Sequence, residues 1–409
     1  MCDPSIPPPL LPSSALRTRV ARLDALAQEL NRVEGAHKVP PTRLPEPGFA
    51  AAAWSWAAGQ DLHLILDEDL TAEQLDRGVI CASAGNHAQG VALGSKRLGC
   101  RAVIVMPVTT PRLKIDAVQA LGGEVVLQGD SYSDAYAHAV QLQQDQGLTF
   151  VHPFDDPDVI AGQGTVAMEI LRQHQGPLDA VFVAIGGGGL ISGVATAAKA
   201  INPNIRIIGC EPAMFPSFTA RMRGLNAEAG GQTIAEGIAV KEVGTKTYAV
   251  ARPLIDDVLL LEEPYIERAV ALYCNVEKTI AEGAGAASLA ALLAYPERFR
   301  GKKCGLILCG GNIDTRLLAS VLTRELVREQ RLVSLRIIGD DRPGLLATVS
   351  RVIGEMGGNI IEVNHNRLAL DVPAKGAEFD ITIETRDARH TQEIIDALTK
   401  AGFPPRPHT

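Results

Sequence analysis

From residue 78 onward, short continuous apolar runs alternate with longer stretches of helical periodicity. The pattern predicts strands over residues 78–83 (GVICAS), 101–107 (RAVIVMP), 124–127 (EVVL), 149–152, 180–185 (AVFVAI) and 206–210 (RIIGC). Helices are predicted between and after them, over residues 87–98, 110–121, 130–146, 163–173 and 192–200. Two more helices follow, over 265–281 and 285–293, and then a strand over 303–308 (KCGLIL). Strand and helix taking turns in this way implies parallel sheets covered by helices. The strand runs are almost wholly apolar, as strands buried on both faces require.

After Arg328 the pattern changes. A strand over 333–338 leads to a helix over 343–356, with Asp340, Asp341 and Pro343 as its cap and first-turn residues. Strands over 358–367 and 377–383 and a helix over 391–401 complete an independent α+β unit, residues 333–409, behind a linker at 329–331. Residues 41–328 form the main domain. Residues 1–40 are an N-terminal extension, Pro-rich as far as Ser14 and then amphipathic over 15–30. Arg17, Arg19 and Arg22 suit an organelle transit segment, but Asp3, Asp24 and Glu29 weigh against one.

Composition narrows the class. At 409 residues there is room for two or three cores. A net charge of −8 argues against nucleic acid or an anionic membrane as the main partner, and no apolar run is long enough to span a bilayer. The cysteines, at 2, 81, 100, 210, 274, 304 and 309, are scattered and include no CxxC pair. That favours reduced thiols in a cytoplasmic protein over a zinc site or a disulfide framework.

Three segments at strand ends carry candidate chemistry. The first is Ser83-Ala84-Gly85-Asn86-His87-Ala-Gln89, between a strand and a helix. Gly85 permits a tight turn and close ligand approach, and Asn86 can bond an oxygen of a planar cofactor. A capped turn without a ligand is the competing reading. The second is Gly186-Gly187-Gly188-Gly189, followed by Leu190-Ile-Ser192-Gly193. Without any Cβ, its N–H groups can converge on a phosphate at a helix start. It lacks the Gly-Lys-Ser/Thr of a P-loop and differs from the dinucleotide fingerprint; a slack turn is the alternative. The third is Cys309-Gly-Gly-Asn-Ile-Asp314, at the end of the last main-domain strand.

Together with Asp155-Asp-Pro157, Gly162-Gln-Gly164-Thr165, residues 208–212 and Glu282-Gly-Ala-Gly-Ala286, these segments resemble the fold-type II pyridoxal-phosphate enzymes, in the threonine/serine dehydratase branch. The likeness runs from about residue 72 to 328. It implies a two-lobed α/β fold, similar to the tryptophan synthase β subunit, with pyridoxal 5′-phosphate as cofactor. It puts Asn86 on the cofactor's 3-hydroxyl, residues 186–189 on its phosphate and Cys309 at the ring nitrogen. Ser83, Ala84, Gly85 and His87 would then bind substrate. A neutral thiol leaves the ring nitrogen unprotonated, which suits β-elimination. Glu211 matches a position that helps hold a divalent cation in some relatives, but Met214, Phe215, Pro216 and Ser217 stand where a second carboxylate is needed, so no metal is expected. Ala84 replaces the serine that serves the second face in serine racemases, which makes racemisation the weaker rival. Residues 340–346 (DDRPGLL) and 358–361 (GNII) resemble an ACT domain of ferredoxin-like α+β fold, with an amino-acid effector and self-association as its implied partners.

One departure matters. The family carries its Schiff-base lysine in a Ser-Phe-Lys-x-Arg-Gly-Ala segment upstream of the Ser83 loop. No Ser-Phe-Lys occurs here, and no lysine stands between Lys38 and Lys96. The join falls near residues 64–71, where roughly twenty residues of the family spacing are missing. The expected function is therefore threonine (or serine) dehydration, to a 2-oxo acid and ammonia, with no catalytic lysine and impaired turnover. A catalytically dead amino-acid sensor acting through the ACT domain is the rival of a different class.

Overall fold

The computed structural model describes residues 72–174, 176–226, 229–367 and 375–407. The extension and helix expected within 1–40, the opening stretch from 41 and the join near 64–71 lie outside them.

The first described helix, α1 (Ala72–Arg77), leads into β1 (Val79–Ala82), α2 (Asn86–Leu98), β2 (Ala102–Met106), α3 (Arg112–Ala120), β3 (Glu124–Leu127), α4 (Tyr132–Gln146) and β4 (Thr149–Phe150). Their sheet has the order β3-β2-β1-β4, with every pairing parallel. Each residue of β1 and β2 is buried. Val79 and Cys81 pack into one cluster with Ile104 and Met106, whereas Ile80 and Ala82 pack into another with Val103 and Val105. Successive side chains leave a strand on opposite faces. The unbroken apolar runs are therefore strands with a core on each side.

A second parallel sheet follows. Its elements are α5 (Pro157–Gln173), β5 (Ala180–Ala184), α6 (Gly189–Ile201), β6 (Arg206–Pro212), α7 (Ser217–Met222), α8 (Thr245–Ala251), β7 (Asp257–Leu261), α9 (Glu263–Asn275), α10 (Gly283–Ala294) and β8 (Cys304–Leu306). The strand order is β7-β6-β5-β8. Here β5 sits between β6 and β8 with all its residues buried.

Several boundaries differ from the sequence pattern. α5 starts six residues earlier than expected, because the Asp156 carboxylate accepts from Asp158 N–H at 2.8 Å and Pro157 sits in the first turn. α9 stops at Asn275 rather than continuing to 281, and Lys278 adopts φ +54 just beyond. β7, α7 and α8 were not predicted.

Residues Asp314–Thr409 form a second compact unit, which also takes in α11 (Thr315–Arg328). Its other elements are β9 (Leu332–Asp340), α12 (Leu345–Glu355), β10 (Asn359–Asn366), β11 (Gly376–Glu384), α13 (Ala388–Lys400) and β12 (Arg406–Pro407). The sheet order is β10-β11-β9-β12 with antiparallel pairings. Leu335, Ile337, Phe379, Ile381 and Ile383 from the sheet close on Val349, Ile353, Ile394 and Leu398 from α12 and α13. The cap of α12 is Gly344, at φ +88 and without a side-chain bond, in place of the expected Asp340, Asp341 and Pro343. Asp341 instead pairs with Arg367 at 3.0 Å.

Candidate functional site

Parallel strands send the loops that follow them to one edge of a sheet, where ligands gather. β5 runs into Gly186, Gly187, Gly188 and Gly189, and β8 runs toward Cys309. Ala180 pairs with Cys304 and Phe182 with Leu306. Continuing that register sets Cys309 level with Ile185, one residue before the glycines, on strand paths ~4.8 Å apart.

Gly188 caps α6 at φ +94, a conformation that glycine adopts without strain. The N–H groups of Gly188, Gly189, Leu190 and Ile191 have no hydrogen-bond partner among the described residues, and Gly188 and Gly189 are buried. Buried donors of this kind call for a ligand or water, and at a helix start they suit an anion.

The loop is held rather than slack. The Gly187 carbonyl accepts from Gly244 N–H at 3.1 Å and from the Thr247 hydroxyl at 2.7 Å. Ser192 Oγ lies 2.6 Å from the Gly188 carbonyl and 2.9 Å from that of Thr247. On the other side sits Phe154, its ring edge-on to His152 with centroids 4.8 Å apart. A Cβ on Gly187 would overlap the Phe154 ring, and one on Gly189 would press on Phe154 Cβ. These two glycines are required by their protein neighbours, whatever else binds.

The Ser83–His87 stretch follows β1. Ser83 N–H donates to the Val105 carbonyl at 3.1 Å, and its Oγ accepts from Gly85 N–H at 3.2 Å. Ala84 and Gly85 are partly buried. Gly85 caps α2 at φ −127, and a Cβ there would meet nothing within 4 Å. Among the described residues the space beside it is open, so close approach rather than a tight turn is what this glycine offers. Asn86 begins α2, and its Oδ1 accepts from Asn312 Nδ2 at 3.3 Å. Asn312 lies in the run that starts at Cys309, so this bond brings the edges of the two parallel sheets together.

His87 is not brought into that group. Its imidazole is buried, with Nε2 3.0 Å from the Val151 carbonyl. Burial lowers its pKa to about 4, so the ring is neutral and donates from Nε2, tying α2 to the chain just past β4. Only its backbone remains near the loop.

Glu282 opens the Glu282-Gly-Ala-Gly-Ala286 motif, whose pattern alone assigns it no role. This half-buried carboxyl lies against Gly310, where an added Cβ would overlap it. Burial raises its pKa to about 7, the Lys114 cation of α3 counters this, and Glu236 adds to it. The Cys309 thiol keeps some exposed surface but is densely surrounded. Burial, reinforced by Glu282, pushes it up to about 12, so it carries its proton. Its Sγ donates to the Ala284 carbonyl at 3.6 Å. Glu211 is turned inward: its carboxylate accepts from Phe218 N–H at 2.6 Å, Thr219 N–H at 3.0 Å and the Thr219 hydroxyl at 2.7 Å.

Together these residues fit a planar, phosphorylated group. Among the described residues, partnerless N–H groups stand at a helix start, open space lies beside Gly85, and a neutral thiol and an amide flank the meeting of the two edges.

Comparison with known proteins gives the class. Residues 60–310 match the pyridoxal-phosphate dependent enzymes, and residues 328–401 match the ACT domain. An L-threonine ammonia-lyase of Thermotoga maritima is 40% identical over 336 residues, which is 82% of this chain and 83% of that one. One from Geobacter sulfurreducens is 43% identical over 333 residues, 81% and 83% of the two chains. Among solved structures, the processed threonine deaminase isoform 2 of Solanum lycopersicum superposes with a TM-score of 0.64 at 35% identity, covering 78% of this chain and 99% of that one. Maize serine racemase does so with a TM-score of 0.61 at 33% identity, covering 68% and 85%. The chain belongs to the pyridoxal-phosphate dependent enzymes, in the threonine ammonia-lyase branch, and carries an ACT domain.

Proposed function

We propose that the meeting edges of the two parallel sheets hold pyridoxal 5′-phosphate and that the chain is a threonine (or serine) dehydratase with impaired turnover. The partnerless N–H groups at Gly188–Ile191 carry the binding half of this reading. Gly186, Gly187, Gly188 and Gly189 take the phosphate, Asn86 the 3-hydroxyl and Cys309 the ring nitrogen, which its protonated thiol leaves uncharged. Ser83, Ala84 and Gly85, with the backbone of His87, receive the carboxylate of the amino acid. Bound pyridoxal phosphate would supply an electron sink for the α-carbon, so that threonine could lose its α-proton and its β-hydroxyl as water, and hydrolysis of the resulting enamine would give 2-oxobutanoate and ammonia. The chain itself must supply an amine to fix the cofactor and move the α-proton. No lysine between Lys38 and Lys96 can do so, and this carries the impairment.

The test is direct. Purified protein is incubated with pyridoxal phosphate and threonine, 2-oxobutanoate is assayed, and a borohydride-reduced sample is mapped by peptide. We expect near-background product and no stoichiometric label. Robust product with one lysine labelled would overturn the impairment.

The missing lysine also favours a second reading, an amino-acid sensor that binds its effector at the ACT domain. Threonine-dependent stabilisation of the protein without turnover would support it. Racemisation is the weaker alternative, because Ala84 carries no proton to deliver. We further infer that copies associate through the ACT domain, and that the protein works in the cytoplasm. The described cysteines are free thiols, and no helix among the described residues is long and apolar enough to cross a membrane.

A further inference from the structure

We propose that Asp155 and Thr247 are positioning residues for the phosphate loop, acting as one relay that fixes the direction of its N–H groups. The proposal rests on residues 186–189 binding the phosphate.

The relay is visible bond by bond. The Asp155 carboxylate accepts from the N–H groups of three successive residues at the start of α8: Thr245 at 3.1 Å, Lys246 at 2.8 Å and Thr247 at 2.9 Å. Asp155 is about ninety residues away in sequence, so this is a cap supplied from another part of the chain. Its carboxylate also lies so close to Gly244 that an added Cβ there would overlap it. Asp155 N–H is itself held, donating to His152 Nδ1 at 2.8 Å. The carboxylate therefore has a fixed base and a fixed target.

What it fixes in turn grips the glycines. Gly244 N–H and the Thr247 hydroxyl both bond the Gly187 carbonyl. A trans peptide holds its C=O and N–H antiparallel in one plane. Holding the Gly187 carbonyl toward α8 therefore points the Gly188 N–H the opposite way, with no freedom to flip. That N–H is one of the buried donors with no partner among the described residues. The Phe154 ring closes the loop from its other side, and it comes from the residue adjacent to Asp155. One short segment, His152 to Asp155, thus presses on the loop directly and pulls on it through α8. A pre-aimed donor needs no reorganisation when an anion arrives, and this is where the relay would contribute affinity.

The experiment uses pyridoxine 5′-phosphate and pyridoxine, which differ only in the phosphate and lack the aldehyde that would label lysines at random. Equilibrium titrations of the full-length chain give the ratio of the two affinities. The relay predicts that Asp155→Asn and Thr247→Val each lower this ratio by about tenfold, the size expected for one well-aimed hydrogen bond to a charged group. Pyridoxine binding should be unchanged within about twofold, and Thr247→Ser, which keeps the hydroxyl, should retain the wild-type ratio. Equal losses for both ligands would reveal a merely structural role and overturn the proposal, as would an unchanged ratio in both variants. Should Asp155→Asn fail to fold, the Thr247→Val and Thr247→Ser pair decides alone. A wild-type chain that does not discriminate between the two compounds would instead refute phosphate binding by residues 186–189, the reading on which this relay depends.

Discussion

Two strand–glycine–helix junctions, one at the end of each parallel sheet, use glycine for different reasons. At the start of α6, Gly187 and Gly189 are glycine because Phe154 fills the space of their missing side chains, and Gly188 because its backbone is left-handed. At the start of α2, Gly85 has an ordinary φ and no atom of the described residues near its missing Cβ. The first junction is built by the protein around itself. The second is left open. In sequence they read alike, so a glycine after a buried strand marks an edge without saying which side of the backbone needs the room.

The largest test of this contrast supplies the family's Schiff-base lysine, since no lysine stands between Lys38 and Lys96. Inserting a family Ser-Phe-Lys-x-Arg-Gly-Ala segment between Leu66 and Thr71 should raise threonine dehydration by about 10²–10⁴-fold, the scale of one positioned proton-transfer group. If 2-oxobutanoate stays at background while the grafted chain is folded, the two edges do not form a cofactor site. Next in size is the pair Gly187→Ala and Gly85→Ala. The first should cost about 1–3 kcal/mol in denaturant unfolding, because its new methyl group overlaps the Phe154 ring. The second should change stability by less than about 0.5 kcal/mol, yet weaken pyridoxine 5′-phosphate binding. Equal stability losses would erase the distinction between the junctions.

The smallest effects are titrations, and they run in opposite directions. His87 is held near 4 in the fold against an ordinary 6.5. Its contribution is complete above pH 6.5 and is lost as pH falls toward 4. Glu282 is held near 7 against 4.5, so its contribution is complete below pH 4.5 and is lost as pH rises through 7. His87→Gln should flatten the acid side of a stability–pH curve, and Glu282→Gln the neutral side. Unfolding curves collected from pH 4 to pH 8 would show a single shared slope if this assignment is wrong.

Much of the scaffold was legible because a strand buried on both faces leaves an unbroken apolar run, and β1, β2 and β5 are such strands. The glycine loop and Cys309 were legible because both end strands of that kind. The inward turn of the His87 imidazole to Val151 was not legible, because position after a strand reveals the loop but not the rotamer. The roles of Thr247 and Asp155 left no local trace, since their partners are distant in sequence. β7 and the short helices α7 and α8 escaped for a different reason. β7 is only five residues long, and α7 and α8 are six and seven, too short to show a period.

The strand order β7-β6-β5-β8 has a consequence for how the chain is made. β5 is complete at Ala184, but its neighbour β8 begins only at Cys304. At a synthesis rate of about 5–20 residues per second, the intervening 120 residues take roughly 6–24 s to emerge. Throughout that interval the run Ala180–Ala184 has an unpaired edge of apolar sequence, the kind of edge that joins strands from other chains. Cys309 arrives on the same late segment, so the nascent chain passes through its most aggregation-prone period just before its two halves can meet.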